Sequence, residues 1–342
     1  MSIVVGLTVP ASMDTPVTAP PQSVRFVYVA NTQADTVSVI DAATNQVTAT
    51  IPVGRAPLEI AISPRGTRAY VTNQGSDTVS VINTATGKVT ATIPVDDNPL
   101  GIVVSPHGTR VYVTNTQTDT VSMISTATNK VTATIPVGHN PFRVAISPNG
   151  TRAYVTNQGS DTVSVINTAT NKVTATIPVG RAPFGITVSA NGTRAYVTDT
   201  ESNSVSVINT ATNKVTATIP VGRAPFRVAI SPDGTRAYVT DTELDIMSVI
   251  DTVTNQVTTT IPVGRAPFGI AISPNGTRAY VTNLSDNSVS VIDTTTDKVT
   301  ATVPVGDGPF GVAAGQAVRR RGAPAMVRQA GGSSAPLGSA PG

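Results

Sequence analysis

The chain has 342 residues, 39% of them hydrophobic but only 4% aromatic, with no cysteine and no tryptophan. That excludes disulfides, thiolate metal sites and a thiol nucleophile, and leaves a core built from Val, Ile, Ala and Thr, of which Val, Ile and Thr favour strands. The net charge of +3 belongs to the ends: setting aside Asp14 and Arg319, Arg320, Arg321 and Arg328 leaves nineteen acidic and nineteen basic residues, so the body carries no whole-domain nucleic-acid footprint.

Residues 1–22 are rich in Pro, Thr and Val and match nothing else in the chain; they read as a flexible leader. Ile3 to Val9 is mostly apolar but lacks a basic region before it, so it is a poor signal peptide as it stands. No stretch is apolar for long enough to span a membrane as a helix.

From Val24 onward the chain repeats. Tyr28, Tyr70, Tyr112, Tyr154, Tyr196, Tyr238 and Tyr280 are all the tyrosines, spaced 42 residues apart, and a valine follows each. A fixed period of this length marks a stacked or ring-like repeat. The unit is clearest from Pro57 to Asn98. Leu58 to Ile62 is a short first strand, with large apolar residues at every second position. Ser63-Pro64-Arg65-Gly66 is a turn, matched by Ser147-Pro148-Asn149-Gly150, where Asn-Gly supplies the positive φ a hairpin needs. Arg68 to Thr72 is a second strand, Thr78 to Ile82 a third and Lys88 to Val95 a fourth. Four short antiparallel strands per repeat describe a propeller blade.

Pro52, Pro94, Pro136, Pro178, Pro220, Pro262 and Pro304 fall in the fourth strand of each unit. Proline cannot donate to a ladder, so this strand lies at the outer edge and the first lies at the axis. The large face of a first strand (Phe184, Ile186, Val188) should meet the small face (Ala271 and its equivalents) of a neighbouring blade. The N-terminal part supplies only strands two to four (Arg25–Asn31, Thr36–Asp41, Gln46–Val53). Six full units follow, and Phe310 to Ala314 supplies a lone first strand. The expected fold is all-β: a seven-bladed propeller over residues 23–315, closed by N-terminal strands plus a C-terminal strand. Residues 316–342 read as a disordered basic tail of Gly, Ala, Pro and Ser, either a solvated end or an electrostatic tether.

These residues resemble a known family. Tyr-Val-Thr-Asn (70–73), Ser-Pro-Asn-Gly-Thr-Arg (147–152), Val-Ser-Val-Ile-Asp (289–293) and Lys-Val-Thr-Ala-Thr-Ile-Pro-Val-Gly (172–180) are similar to the YVTN family of seven-bladed propeller repeats. The resemblance runs over roughly residues 24–314. It implies a bacterial or archaeal protein, often secreted or at the cell surface, with lactonase-type and haem d1 propellers as wider relatives. The fold hosts binding, scaffolding and catalysis, so no activity transfers with it. A WD40 assignment fails for want of Trp and of a Gly-His signature.

Catalytic candidates are few. His107 stands in a Ser-Pro-X-Gly turn and His139 in a loop entering the next blade, at opposite ends of the ring, so both read as surface substitutions. No Cys-x-x-Cys-His haem attachment and no Gly-x-Ser-x-Gly elbow occurs. Asp96 and Asp97, with Asn98, are either a solvated loop or part of a Ca²⁺ site. The Asx at Asn31, Asn73, Asn115, Asn157, Asp199, Asp241 and Asn283 reads as a loop cap bonded to its own backbone.

Two positions vary more tellingly around the ring. The loop into each first strand carries Arg55, Asp97, His139, Arg181, Arg223, Arg265 and Asp307 in turn. The third residue of the first strand is Glu59, Gly101, Arg143, Gly185, Arg227, Gly269 and Gly311. Arg143, Arg181, Arg223, Arg227 and Arg265 are thus the expected ligand-binding residues, a basic arc with no evident partner at the mouth of a funnel made mostly of Gly, Ala and Arg. The competing explanation is that repeat duplication copied surface arginines whose stems pack over a neighbouring blade. The expected function is a non-catalytic binding or scaffolding module, extracytoplasmic and monomeric, with no metal or other cofactor and no nucleic-acid partner. Its partner would be a protein, an anionic small molecule or a glycan. The alternative is a lactonase-like or other hydrolytic propeller.

Overall fold

The computed structural model describes residues 24–317, with side chains from Phe26 to Gly315. The expected leader lies outside the described residues, and so does the expected tail beyond Ala317. Within them are seven four-stranded antiparallel sheets and four single-turn 3₁₀ segments: the protein is a seven-bladed β-propeller. Blade 1 (residues 57–94) has an inner strand Pro57–Ile62, a second strand Arg68–Asn73, a third Thr78–Asn83 and an outer strand Lys88–Pro94. Blades 2 to 6 repeat it over residues 99–136, 141–178, 183–220, 225–262 and 267–304.

Turn chemistry sets the hairpins. Gly66 in the Ser-Pro-X-Gly turn has φ 66°, and the turn before each outer strand places Gly87 (φ 64°), Asn129 (φ 53°) or Asn171 (φ 54°) in the left-handed region, where Gly and Asn cost least. The outer strand carries a bulge against the third strand, between Val81 and Ile82 in blade 1. The displaced Thr90 donates its hydroxyl to the Val81 carbonyl at 3.1 Å, which explains the Thr of each Lys-Val-Thr-Ala-Thr.

The core is seven apolar clusters, each between two neighbouring blades. Tyr154, Val163 and Val165 of blade 3 meet Ile186, Ala195, Val197 and Ile208 of blade 4, with Ala145 and Val188 packed alongside. Ile186 and Val188 therefore do face the small side of the preceding blade. Phe184 does not, as described below.

Blade 7 is shared between the chain ends. Val24–Asn31, Thr36–Asp41 and Gln46–Pro52 take a fourth, inner strand from Pro309–Ala317. Val29 pairs with Val312 and Val24 with Ala317, so the closing strand runs past the expected Ala314. A ring of Arg clamps ties blade to blade at the hairpin end: Arg152 donates to the Thr210 carbonyl and Arg194 to that of Thr252, both at 2.6 Å.

Candidate functional site: the axis and the two faces

Each inner strand slips register against the second strand, between Pro57 and Ile60 in blade 1 and between Pro141 and Val144 in blade 3. Two residues slip at this step and the strict alternation of sides is lost there; both leave the ladder except in blade 5, where Arg227 stays paired with Thr240. The first of the pair is Leu58, Leu100, Phe142, Phe184, Phe226, Phe268 or Phe310. The five phenyl rings gather on the axis: Phe142–Phe184 centroids are 4.5 Å apart, Phe226–Phe268 4.1 Å, and Phe226 reaches Phe310 edge-on at 6.0 Å. With buried Leu58 and Leu100 they plug the channel at its loop end. The expected mouth of Gly, Ala and Arg is thus replaced by an aromatic plug.

The second slipped residue is the glycine-rich position. A Cβ on Gly101 would lie 2.5 Å from the Phe142 carbonyl oxygen of the next blade, so most blades require glycine. The three exceptions come from alternate blades and meet. Arg143 donates to Glu59 Oε1, and Arg227 Nη2 donates to Glu59 Oε2 at 2.8 Å. The side chains of Glu59 and Arg143 are only 3% and 5% exposed. Burial, and then the charge of Arg227, pulls the Arg143 guanidinium down to about 9 while Glu59 opposes the shift. Arg143 Nε is buried without a hydrogen-bond partner. Below this cluster lies a cavity of about 290 Å³, walled by Ile60, Ile102, Val144, Ile186, Val228 and Ile270 among others.

The five expected arginines therefore do not form one arc. Arg143 and Arg227 lie on the axis with Glu59 as partner. Arg181, Arg223 and Arg265 lie outside the plug on exposed loops. Arg181 pairs with Glu201 at 2.5 Å and Arg265 with Asp286 at 2.6 Å. The arc was expected to lack partners; Arg181 and Arg265 have them because the 3₁₀ turns of the same blades bring Glu201 and Asp286 beside them.

Taking each face as a whole reverses the expected polarity. The loop end carries Asp35, Asp77, Asp96, Asp97, Asp119, Asp161, Glu201, Glu243, Asp245, Asp286 and Asp307 outside the core, against Arg55, Arg181, Arg223 and Arg265, a balance of −7. The hairpin end carries Arg65, Lys88, Lys130, Lys172, Lys214 and Lys298 together with the six clamp positions Arg68, Arg110, Arg152, Arg194, Arg236 and Arg278. Against these stand Asp41, Asp233, Asp251, Asp293 and Asp297, a balance of +7. Sequence reading missed this, because it compared equivalent positions one at a time and did not sum each end.

His139 Nδ1 lies 2.7 Å from Asp119 Oδ2, with the imidazole 79% exposed, a His–carboxylate pair across the loop that enters blade 3. His107 is exposed. Asp96 accepts a hydrogen bond from Thr120 Oγ1 at 3.0 Å, and among the described residues no three His, Asp or Glu cluster as metal ligands. The Asx series is not a set of self-bonded caps. Asn73 is fully buried, and its amide donates to Thr78 Oγ1 at 3.1 Å and Ser80 Oγ at 2.9 Å on the third strand. Asp199 and Asp241 accept from Ser206 and Ser248 instead, and burial raises both carboxyls to about 6.

Residues 21–185 match the model of the choice-of-anchor I domain. The chain resembles that domain over this stretch. No curated relative matches it. Among solved structures it is similar to Kuenenia stuttgartiensis hydrazine synthase, at 23% identity and a TM-score of 0.73 over 84% of this chain and 99% of that one. It is also similar to a functionally unknown protein from Desulfotomaculum acetoxidans DSM 771, at 18% identity and a TM-score of 0.76 over 86% and 99%. At these identities the likeness is one of fold.

Proposed function

We propose that the protein is a non-catalytic binding or scaffolding propeller of the YVTN type, secreted or at the cell surface, that applies its hairpin face to a polyanionic partner such as an acidic glycan. The observation that carries this reading is the separation of charge: +7 at the hairpin end and −7 at the loop end of a body that is neutral overall. Charge sorted by face steers a partner and selects its sign. The likeness to a choice-of-anchor domain supports a surface role. The outer arginines Arg181 and Arg265 serve ion pairs of the loop face in this reading.

The test is a titration of an acidic polysaccharide and its neutral counterpart at 50 mM and 500 mM salt. Wild type should bind only the acidic one, with micromolar to millimolar affinity at low salt. Binding should fade as the screening length shortens to a few ångströms, about 3 Å near 1 M. Lys130→Glu, Lys172→Glu and Lys214→Glu, three exposed lysines at the hairpin end, together should weaken binding about tenfold or more. Arg181→Ala, Arg223→Ala and Arg265→Ala together should not. The reverse pattern would return the site to the loop face, and no binding at low salt would sink the proposal.

A hydrolytic reading draws on one observation, the His139–Asp119 pair, since a carboxylate-oriented imidazole is the usual general base. Lactone or ester hydrolysis well above background, abolished by His139→Ala, would establish it over the binding reading.

A further inference from the structure

The axial cluster holds two guanidiniums and one carboxylate. Each arginine reaches Glu59 through a terminal nitrogen, and Arg143 Nε is left unpaired although the residue is 4% exposed. Two guanidiniums thus share one carboxylate, with the face of the Phe184 ring 5.6 Å from Arg143 Cζ as the other partner, and one buried donor is left without a hydrogen bond. Buried charges are found paired, and an unmet donor carries the full cost of its desolvation. The cluster opens onto the cavity of about 290 Å³, bounded by the inner strands and by Thr187 and Ala229; the Ile60, Ile102 and Ile186 side chains beside it turn into the blade interfaces, so its surface is mainly polar, and the plug closes the loop end above it. A ligand suited to this site is small, with a planar anionic head for the guanidiniums and access from the hairpin end. A carboxylate matches guanidinium geometry better than a spherical ion does.

We infer that the axis of the propeller is a binding site for a small monocarboxylate, its carboxylate held by Arg143 and Arg227 in competition with Glu59. The site is separate from the hairpin-face surface, so either proposal can fail alone.

The probe is 3-methylbutanoate, titrated calorimetrically in a carboxylate-free buffer of low chloride, with 3-methylbutanamide as the uncharged control. Wild type should bind the acid and not the amide. Arg227→Met, which removes the surplus charge, should lower affinity at least tenfold, and Arg227→Lys should retain most of it. Glu59→Gln removes the internal competitor and raises the surplus from one charge to two. It should therefore bind the acid about tenfold more tightly than wild type, and its melting temperature should rise more steeply with added acid. The Lys130→Glu, Lys172→Glu, Lys214→Glu protein should bind the acid as wild type does. Absence of binding by wild type, equal binding of acid and amide, equal affinity for chloride, or no loss in Arg227→Met would each overturn the assignment. If Glu59→Gln does not fold, the wild-type and Arg227 titrations decide the matter.

Discussion

Asp199 and Asp241 stand where five other blades have asparagine, and the exchange has a pH signature. In the asparagine blades an amide donates to the third-strand hydroxyls, as Asn73 does to Ser80 at 2.9 Å. In the two aspartate blades the hydroxyl donates instead, as Ser206 does to Asp199 at 2.6 Å, and burial raises each carboxyl from 3.8 to about 6. The folded state therefore holds these protons more tightly than the unfolded chain. Below about pH 4 both states are protonated and nothing is lost. Between about 4 and 6 stability falls as pH rises, and above 6 the cost is constant, on the order of 2–3 kcal/mol for each site. Asp199→Asn with Asp241→Asn should leave the melting temperature near wild type at pH 3.5 and raise it at pH 7.5. Equal differences at the two pH values would show that these carboxyls are not perturbed. The identity of the seven Asx residues was plain in the sequence. Their partners were not, because the third-strand hydroxyls come within reach only once the strands pair.

At the level of the strand, the second-strand threonine locks one blade to the next. Thr72 Oγ1 accepts from the Glu59 amide at 3.0 Å and donates to the Leu100 carbonyl of the following blade at 2.8 Å. Thr114, Thr156, Thr198, Thr240 and Thr282 donate in the same way. Blade 7 has Ala30 at this position, beside Gly311, whose added Cβ would sit 2.4 Å from the Leu58 carbonyl oxygen. Ala30→Thr should complete the circle and stabilise the protein by about 1 kcal/mol, read as a rise of roughly 2 °C in Tm. A fall would mean that the closing blade packs too tightly for the hydroxyl its siblings carry. The strands themselves were legible because alternation and turn residues agree in every repeat. The axis was not: the slip between Pro57 and Ile60 breaks the period of two on which any assignment of sides depends. It sends Leu58 and Glu59 to the axis together. Alternation alone puts Phe184 at the blade interface, and it offers no sign that Glu59 meets Arg143, which lies two blades away.

For the ring as a whole, closure rests on the pairing of Val24–Asn31 with Pro309–Ala317. Ending the chain before Pro309 should strip the inner strand from blade 7 and bare the faces of both neighbours, with a fall in Tm of about 10 °C or more, or association through the open edge. A peptide of residues 309–317 supplied in trans should restore part of it by adding back the strand. A truncated protein as stable as the full chain would show that the six complete blades hold the ring alone. Closure was legible because strands two to four appear first and strand one appears last in the repeat. The sign of each face was not, because Glu201 and Asp286 lie outside the loop that carries Arg181 and Arg265 and reach it only through the 3₁₀ turns. The closing pair also sets a clock on biosynthesis. Val29 emerges from the ribosome ahead of the six complete blades, and its partner Val312 follows only after they have been made. At about 5–20 residues per second the first three strands wait roughly fifteen seconds to a minute with their inner edge bare. Every blade made in the meantime offers an inner strand of nearly the same sequence. A nascent chain must therefore keep its first sheet from accepting the wrong partner until all six complete blades have been made.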